Sequence, residues 1–219
     1  MVKKRLTLPP WQNYEYGYTS ALEVVTKQLA EVKDVELLCR RSGAQYQLID
    51  SKKGALLTYL NQAYQISFPD IVVTQLNSQR KVASRDKVLI LHYLSLAKGT
   101  PLTSRIISYR DLPDGNIYLP SFTKRAIRPL IDNFGGNYEK LIQVANKLGG
   151  CQANYGDVSV VIGAFPHVPV FLVLWRGDEE FPIEANILFD SSISDYLYPE
   201  DINVLCQTIT WKLITRVKG

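Results

Sequence analysis

Histidine and methionine are nearly absent: the 219 residues hold two histidines, His92 and His167, and one methionine. So few imidazoles exclude a histidine-rich metal site. Cysteine is as sparse, with Cys39, Cys151 and Cys206 far apart and odd in number. Secreted disulfide scaffolds use even sets, and zinc or iron–sulfur sites use close pairs. The three thiols therefore read as reduced and mostly buried, in a cytoplasmic protein. Phosphate-binding glycine loops are missing too: neither G-x-G-x-x-G nor a Walker lysine occurs, and no G-x-S-x-G elbow presents a serine nucleophile. Long apolar runs are lacking. The most apolar stretch, Val158 to Trp175, is broken by Gly163, Pro166, His167 and Pro169, whereas a membrane span needs about 20 predominantly apolar residues. The basic start, Met1 to Arg5, leads into Pro9, Pro10, Gln12 and Asn13, which is not the apolar core of a secretory signal.

What is present is ordinary globular material. Apolar residues make up 46% and charged residues 21%, enough apolar surface for a sizeable core and too much for a disordered chain. The net charge of +4 hides an asymmetry. Residues 1–150 carry 21 basic against 12 acidic residues, a net +9, and residues 151–219 carry 4 against 9, a net −5. Such a dipole holds two halves together or gives two faces different partners. The basic residues are scattered along the chain rather than gathered on one element with interleaved aromatics, which argues against a nucleic-acid surface.

Periodicity predicts an α+β fold in one domain over residues 1–219, any seam falling near Gly149-Gly150. Ser20-Ala-Leu-Glu23 has the form of a capping box, and Leu22, Val25, Leu29 and Val32 then mark one face of an N-terminal helix. After Gly43 the period changes to that of strands. Residues 44–49, 54–60 and 63–68 read as a small antiparallel meander, extended by 71–76. Ser84 to about Lys98 is apolar almost all round and reads as a central buried helix. Residues 101–120 read as a turn-rich loop, followed by helices near 121–134 and 137–148, each ending at a Gly pair suited to a left-handed cap. Residues 157–162, 168–175 and 183–189 read as C-terminal antiparallel strands. Pro199 opens a final helix with Ile202, Leu205, Ile209 and Leu213 toward the core.

Few residues offer chemistry. His92, inside the apolar helix, reads as a neutral core imidazole bonded to a backbone carbonyl. His167 sits in the Pro-flanked connection Phe165-Pro-His-Val-Pro169, where loops often place functional groups. From Gly177 to Asp201 there are eight carboxylates and no Lys or Arg. Charge runs usually just solvate a turn, but carboxylates held together can bind a hard cation or share a proton. A strand of eight residues is about 25 Å long, which places His167 and Asp178 at opposite ends of the one that runs to Trp175. His167, Trp175, Asp178, Glu180 and Asp190 are thus the expected ligand- or partner-binding residues, with the acidic set Asp178, Glu180 and Asp190 as one end of the sheet.

Eight segments occurring in one order carry a resemblance. They are Lys87-Val-Leu-Ile-Leu-His-Tyr-Leu94, Gly99-Thr-Pro-Leu102, Ser108-Tyr-Arg-Asp-Leu-Pro113, Asp157-Val, Phe165-Pro-His-Val-Pro169, Leu174-Trp-Arg-Gly-Asp-Glu-Glu-Phe-Pro182, Asn186-Ile-Leu-Phe-Asp190 and Tyr196-Leu-Tyr-Pro-Glu-Asp201. Over roughly residues 85–210 the chain resembles the domain of unknown function 3786 family, an uncharacterised group found largely in anaerobic bacteria and archaea. Some relatives resemble fusions to a four-cysteine iron–sulfur module of the kind seen in corrinoid proteins. This chain lacks that module, so the resemblance implies that any iron–sulfur or corrinoid link comes through a partner protein. The family often carries a basic residue where His167 stands. The expected function is an accessory or binding domain serving an anaerobic metallo- or corrinoid protein, the alternative being a metal-assisted hydrolase that uses the acidic loop. The isolation of the cysteines makes one direct prediction. Thiol titration of the denatured, non-reduced protein should find all three of Cys39, Cys151 and Cys206 free, and a lower count would refute it.

Overall fold

The computed structural model describes residues 15–218; the basic start Met1 to Arg5 lies outside them. The described residues begin with two helices, α1 (Glu15–Ala30) and α2 (Val35–Ser42). The helix α1 starts before Ser20, so the expected capping box lies inside it, but its apolar stripe holds: Val25 and Leu29 are buried. The sequence reading missed α2, which is capped by the Asp34 carboxylate, accepting from Leu37 N–H, and closed by Gly43 in the left-handed conformation.

The meander follows as β1 (Gln45–Ile49), β2 (Lys52–Tyr59), β3 (Gln62–Ser67) and β4 (Val72–Gln75), paired in that order and all antiparallel. Its two tight turns use positive φ at Asp50-Ser51 and at Leu60-Asn61, the twist that suits two-residue hairpins. Next comes α3 (Ser84–Leu96), with Val88, Leu89, Ile90, Leu91, Tyr93 and Leu94 buried as its composition predicts.

The expected loop at 101–120 is more ordered than it reads. It contains β5 (Ile106–Ser108) and a 3₁₀ turn at Tyr109–Asp111. One continuous helical segment then runs as α4 (Gly115–Phe122), a π turn (Thr123–Ile127) and α5 (Arg128–Phe134). Pro120 and Pro129 both lie within it. Proline lacks an N–H and pushes away the carbonyl four residues earlier, so Pro120 disguises the start of this helix, while the expected helix near 121–134 is present and runs through Pro129. At its start Gly115 is obligatory: a Cβ there would lie 2.1 Å from the Tyr109 carbonyl oxygen.

The second sheet has the order β5-β9-β8-β7-β6, again antiparallel, with β6 (Cys151–Ala153), β7 (Val158–Phe165), β8 (Val168–Trp175) and β9 (Glu184–Asp190). Helix α6 (Tyr138–Asn146) precedes it and α7 (Pro199–Lys218) follows it. Gly149 takes the left-handed conformation expected after α6, but Gly135 stays right-handed and is instead packed against Ile183.

Val160, Ile162, Val170, Leu172, Ile187 and Phe189 are fully buried on one face of the second sheet. The largest correction concerns α7. Its expected core face is buried, but so is every residue from Asp201 to Trp211. Two helices, α3 and α7, are therefore central rather than one. Between the sheets runs a ladder of rings: Tyr59 stacks on Phe165 at 4.8 Å, Phe165 on Tyr93 at 4.1 Å, and Tyr93 on Tyr196 at 5.6 Å. A hydrogen bond from Leu60 N–H to the Ala164 carbonyl ties the meander to β7. Buried apolar residues of both sheets and of the helices form one contiguous cluster. No helix among the described residues is long and apolar enough to cross a membrane.

Leu91 is 1% exposed in that cluster. Leu91→Ala should cost about 2–5 kcal/mol in denaturant unfolding, as large-to-small core changes do. A loss well below that range would show that α3 is not packed as described.

Candidate functional site

The five residues expected to form a site lie at two ends of the second sheet. At one end, Trp175 closes β8, paired across the ladder with Glu184, and is 37% exposed. Asp178 and Glu180 lie in the turn that follows, both exposed. The Asp178 carboxylate accepts from the backbone N–H groups of Phe181 and Glu180, at 2.7 and 2.9 Å, which holds its acidity below the ordinary carboxylate range. That is the chemistry of a solvated turn.

Asp190 is at the other end of β9, about 20 Å away along a seven-residue strand. It does not join Asp178 and Glu180, so the acidic set expected at one end is divided. The register explains this: Phe189 pairs with Val170, which puts Asp190 beside the start of β8, at the His167 end. There it is 3% exposed and accepts from the Thr103 and Ser192 hydroxyls and from the N–H groups of Thr103, Ser104 and Ser192. Burial pushes its carboxyl up, but these donors outweigh burial and bring it down to about 2. Asp190 joins β9, the loop before β5 and the turn after β9.

His167 is held structurally as well. Its backbone N–H donates to the Tyr93 hydroxyl at 3.3 Å, and its ring stacks on Tyr196 at 5.2 Å, ending the aromatic ladder. The register places it at the opposite end of β8 from Trp175 and Asp178, as the strand length implies.

A different residue set converges. A cleft of about 280 Å³ lies between α1, α3, the π turn and the first turns of α7. It is lined by Tyr18 and Ala21 of α1, Arg85, Val88, Leu89 and His92 of α3, Arg125 of the π turn, and Glu200, Asp201 and Val204 of α7. His92 Nδ1 lies 2.9 Å from both oxygens of Asp201. A carboxylate only accepts, so Nδ1 carries the proton and Nε2 is left for a ligand. Asp201 is 6% exposed and sits in the first turn of α7, where the helix dipole favours a carboxylate. Behind the cleft, buried Asp86 accepts from the Tyr59 hydroxyl at 3.2 Å and lies 3.5 Å from the Arg85 guanidinium.

His92 is thus bonded to a carboxylate, not to the backbone carbonyl expected of it. Sequence reasoning missed the pair because its members stand 109 positions apart. The signal that was present is the placement of Asp201 just inside a helix that begins with proline. The cleft lining, among the described residues, offers charge, hydrogen bonding and proton exchange through Arg85, His92, Arg125, Glu200 and Asp201. Among the described residues no three His, Cys, Asp or Glu side chains are grouped to hold a metal ion.

The family model described as domain of unknown function (DUF3786) matches residues 34–211. The chain belongs to the DUF3786 family. That span runs from the cap of α2 into α7, so in this chain it covers both sheets, α3 and the His92–Asp201 pair, while α1 lies before it. No curated protein and no solved structure matches the chain.

Asp190 generates a pH prediction. Its folded pKa is depressed below its unfolded value, so its contribution is fully present above about pH 4 and lost as pH falls toward 2. That contribution is on the order of 2 kcal/mol. Asp190→Asn should lower stability at neutral pH and flatten the acid limb of the stability profile between those limits. An unchanged acid limb would show that Asp190 does not carry it.

Proposed function

We propose that this DUF3786 protein is an accessory binding domain whose cleft between α1, α3 and α7 takes a small molecule bearing one acidic group. The observation that carries this reading is the His92–Asp201 pair on a concave surface shared with two arginines. Asp201 fixes the ring so that Nε2 accepts from a hydroxyl or acid proton of the ligand. Arg85 and Arg125 supply guanidinium charge to its oxyanion. Val88, Leu89 and Val204 offer an apolar wall to its body. The volume is near the lower limit of small-molecule sites, roughly 300 Å³, which suits a metabolite of a few carbons.

The reading as a binding domain is supported by the concave, mixed apolar and charged lining of the cleft. The metal-assisted hydrolase reading required Asp178, Glu180 and Asp190 to converge, and the length of β9 lies between them. Service to an iron–sulfur or corrinoid protein in an anaerobe is the partner that the family resemblance supports.

The test is a thermal-shift and calorimetric screen with glycolate, lactate and inorganic phosphate as probes. At least one should raise the unfolding temperature and move the His92 ring resonances. His92→Ala should abolish that response while Asp178→Asn leaves it intact. Equal responses from both variants, or none from the wild-type protein at millimolar probe, would refute the site.

A further inference from the structure

The two sheets end in four edge strands, and three of these are very short. Strands β5 and β6 have three residues each and β4 has four. Strand β1, the remaining edge, has five, and Gln45-Tyr46-Gln47-Leu48-Ile49 contains neither a charge nor a proline. Natural edges are guarded by such residues, because an unguarded edge pairs with another strand. The hairpin fixes which backbone groups are open. Ile49 and Lys52 flank the two-residue turn Asp50-Ser51 and pair with each other, so the N–H and C=O of Ile49 face β2. Direction alternates along a strand. Gln45 and Gln47 therefore also face β2, and the N–H and C=O of Tyr46 and Leu48 point away from it. Among the described residues no strand pairs with β1 on that side. Both side chains are exposed as well, Tyr46 at 38% and Leu48 at 68%.

The surroundings of this edge say what fits it. The Gln47 amide nitrogen is buried and has no hydrogen-bond partner among the described residues, which costs stability until a partner is supplied. Ala44 N–H is directed to the Ser42 hydroxyl oxygen at 3.4 Å, so the open rungs stop at Tyr46. The two ends of β1 carry opposite charge. Helix α2 ends in exposed Arg40 and Arg41 just before the Gln45 end, and Asp50 is exposed just past the Ile49 end. The lysines that follow Asp50 are engaged elsewhere. Lys52 is paired with Asp70, and Lys53 donates to the Lys33 carbonyl at 3.2 Å. Beside Tyr46 there is a hollow of about 320 Å³, lined also by Asp34, Val35, Glu36 and Lys53.

We propose that β1 is a homodimer interface, in which two copies of the chain pair their β1 strands antiparallel about a two-fold axis at Gln47. The register follows from the open groups. With the axis at Gln47, Tyr46 of each copy lies opposite Leu48 of the other and exchanges an N–H and a C=O bond with it. An axis at Tyr46 would call on the Ala44 N–H, which is already directed to Ser42, and one at Leu48 would call on Asp50, which is in the turn. Between the bonded pairs the two Gln47 residues form a close pair, where each amide can donate to the other's carbonyl oxygen. Leu48 is covered by the Tyr46 ring of the other copy and the hollow beside it. Asp50 of each copy comes to the Gln45 end of the other, toward Arg40 and Arg41, so opposite charges meet at both ends. The pairing is isologous and closes after two copies, which leaves no open rung on β1. This surface is separate from the His92 cleft and does not depend on the reading of it.

Sedimentation velocity of the full chain, from micromolar to millimolar protein, should show a monomer passing to a dimer, and less readily with added salt. Hydrogen exchange at the Tyr46 and Leu48 amides should slow as protein concentration rises. Leu48→Lys, a change at an exposed position, should keep the unfolding temperature and weaken dimerisation several-fold. The register has a test of its own. In a Cys151→Ser background, Gln47→Cys should form a covalent dimer on mild oxidation, because the close pair of an antiparallel ladder lies within disulfide reach. A chain that stays monomeric at millimolar concentration overturns the proposal, since the edge then belongs to a strand of another protein or to none. So does a dimer whose Tyr46 and Leu48 amides stay unprotected, or a Leu48→Lys variant that dimerises as well as wild type. A Gln47→Cys variant that dimerises without cross-linking overturns the register.

Discussion

The burial of α7 on every side is the constraint on which the rest of the fold depends. A helix with one apolar stripe needs one neighbour, but α7 also hides Asn203, Gln207, Thr208 and Thr210. From Asp201 to Trp211 each turn of it must therefore meet protein on the side where a surface helix would meet water. The Thr208 hydroxyl returns to the Val204 carbonyl at 2.7 Å. The Thr210 hydroxyl reaches the Ala126 carbonyl in the π turn at 3.5 Å, and the Asn203 amide reaches Ser121 at 3.4 Å. These last two are long for hydrogen bonds, so they mark which element covers the polar side rather than how strongly it is held. The α4–π–α5 segment is that cover. With one flank it closes the polar side of α7, with Arg125 it lines the His92 cleft, and with Thr123 and Ile127 it walls a cavity beside β9.

Much of this architecture is legible in the residues. The meander is written in alternating apolar positions and two tight turns, and β7 and β8 in continuous apolar runs that only a sheet covered on its inner face can absorb. Helix α3 is legible from its lack of a polar face. The segments that escape reading do so for physical reasons. Helix α2 has eight residues, too few for a period to declare itself. Of the α4–π–α5 segment only the part before Ser121 escapes, because Pro120 reads locally as a break, while residues 121–134 read as helix through Pro129. The polar residues of α7 look like a solvent face because sequence alone cannot say what will cover them.

The candidate site was less legible than the fold. The carboxylates that stand together in the sequence, from Asp178 to Asp190, are divided by the length of β9. Of those that matter to the cleft, Asp201 stands at the end of the acidic run just inside the helix opened by Pro199, and Asp86 stands alone with nothing nearby in the sequence to single it out. His92 and Asp201 meet only because α3 and α7 pack side by side. The division of Asp178 from Asp190 was calculable in principle, since seven residues of strand separate turn from turn. It needed the pairing of Phe189 with Val170 to show which end each residue occupies.

The position of α7 also sets an order of events during synthesis. The helix that fills the middle of the molecule is the final described element of the chain. Both sheets, α3 and the π-turn segment are all synthesised before residues 199–218. Their inner surfaces have no helix yet to close upon. The nascent chain therefore carries uncovered apolar surface until α7 is available, the period in which chaperones hold and aggregation competes. The meander can pair early and can meet β7 through Leu60 and Ala164, but the inner faces of α3 and the π-turn segment wait for α7 to cover them.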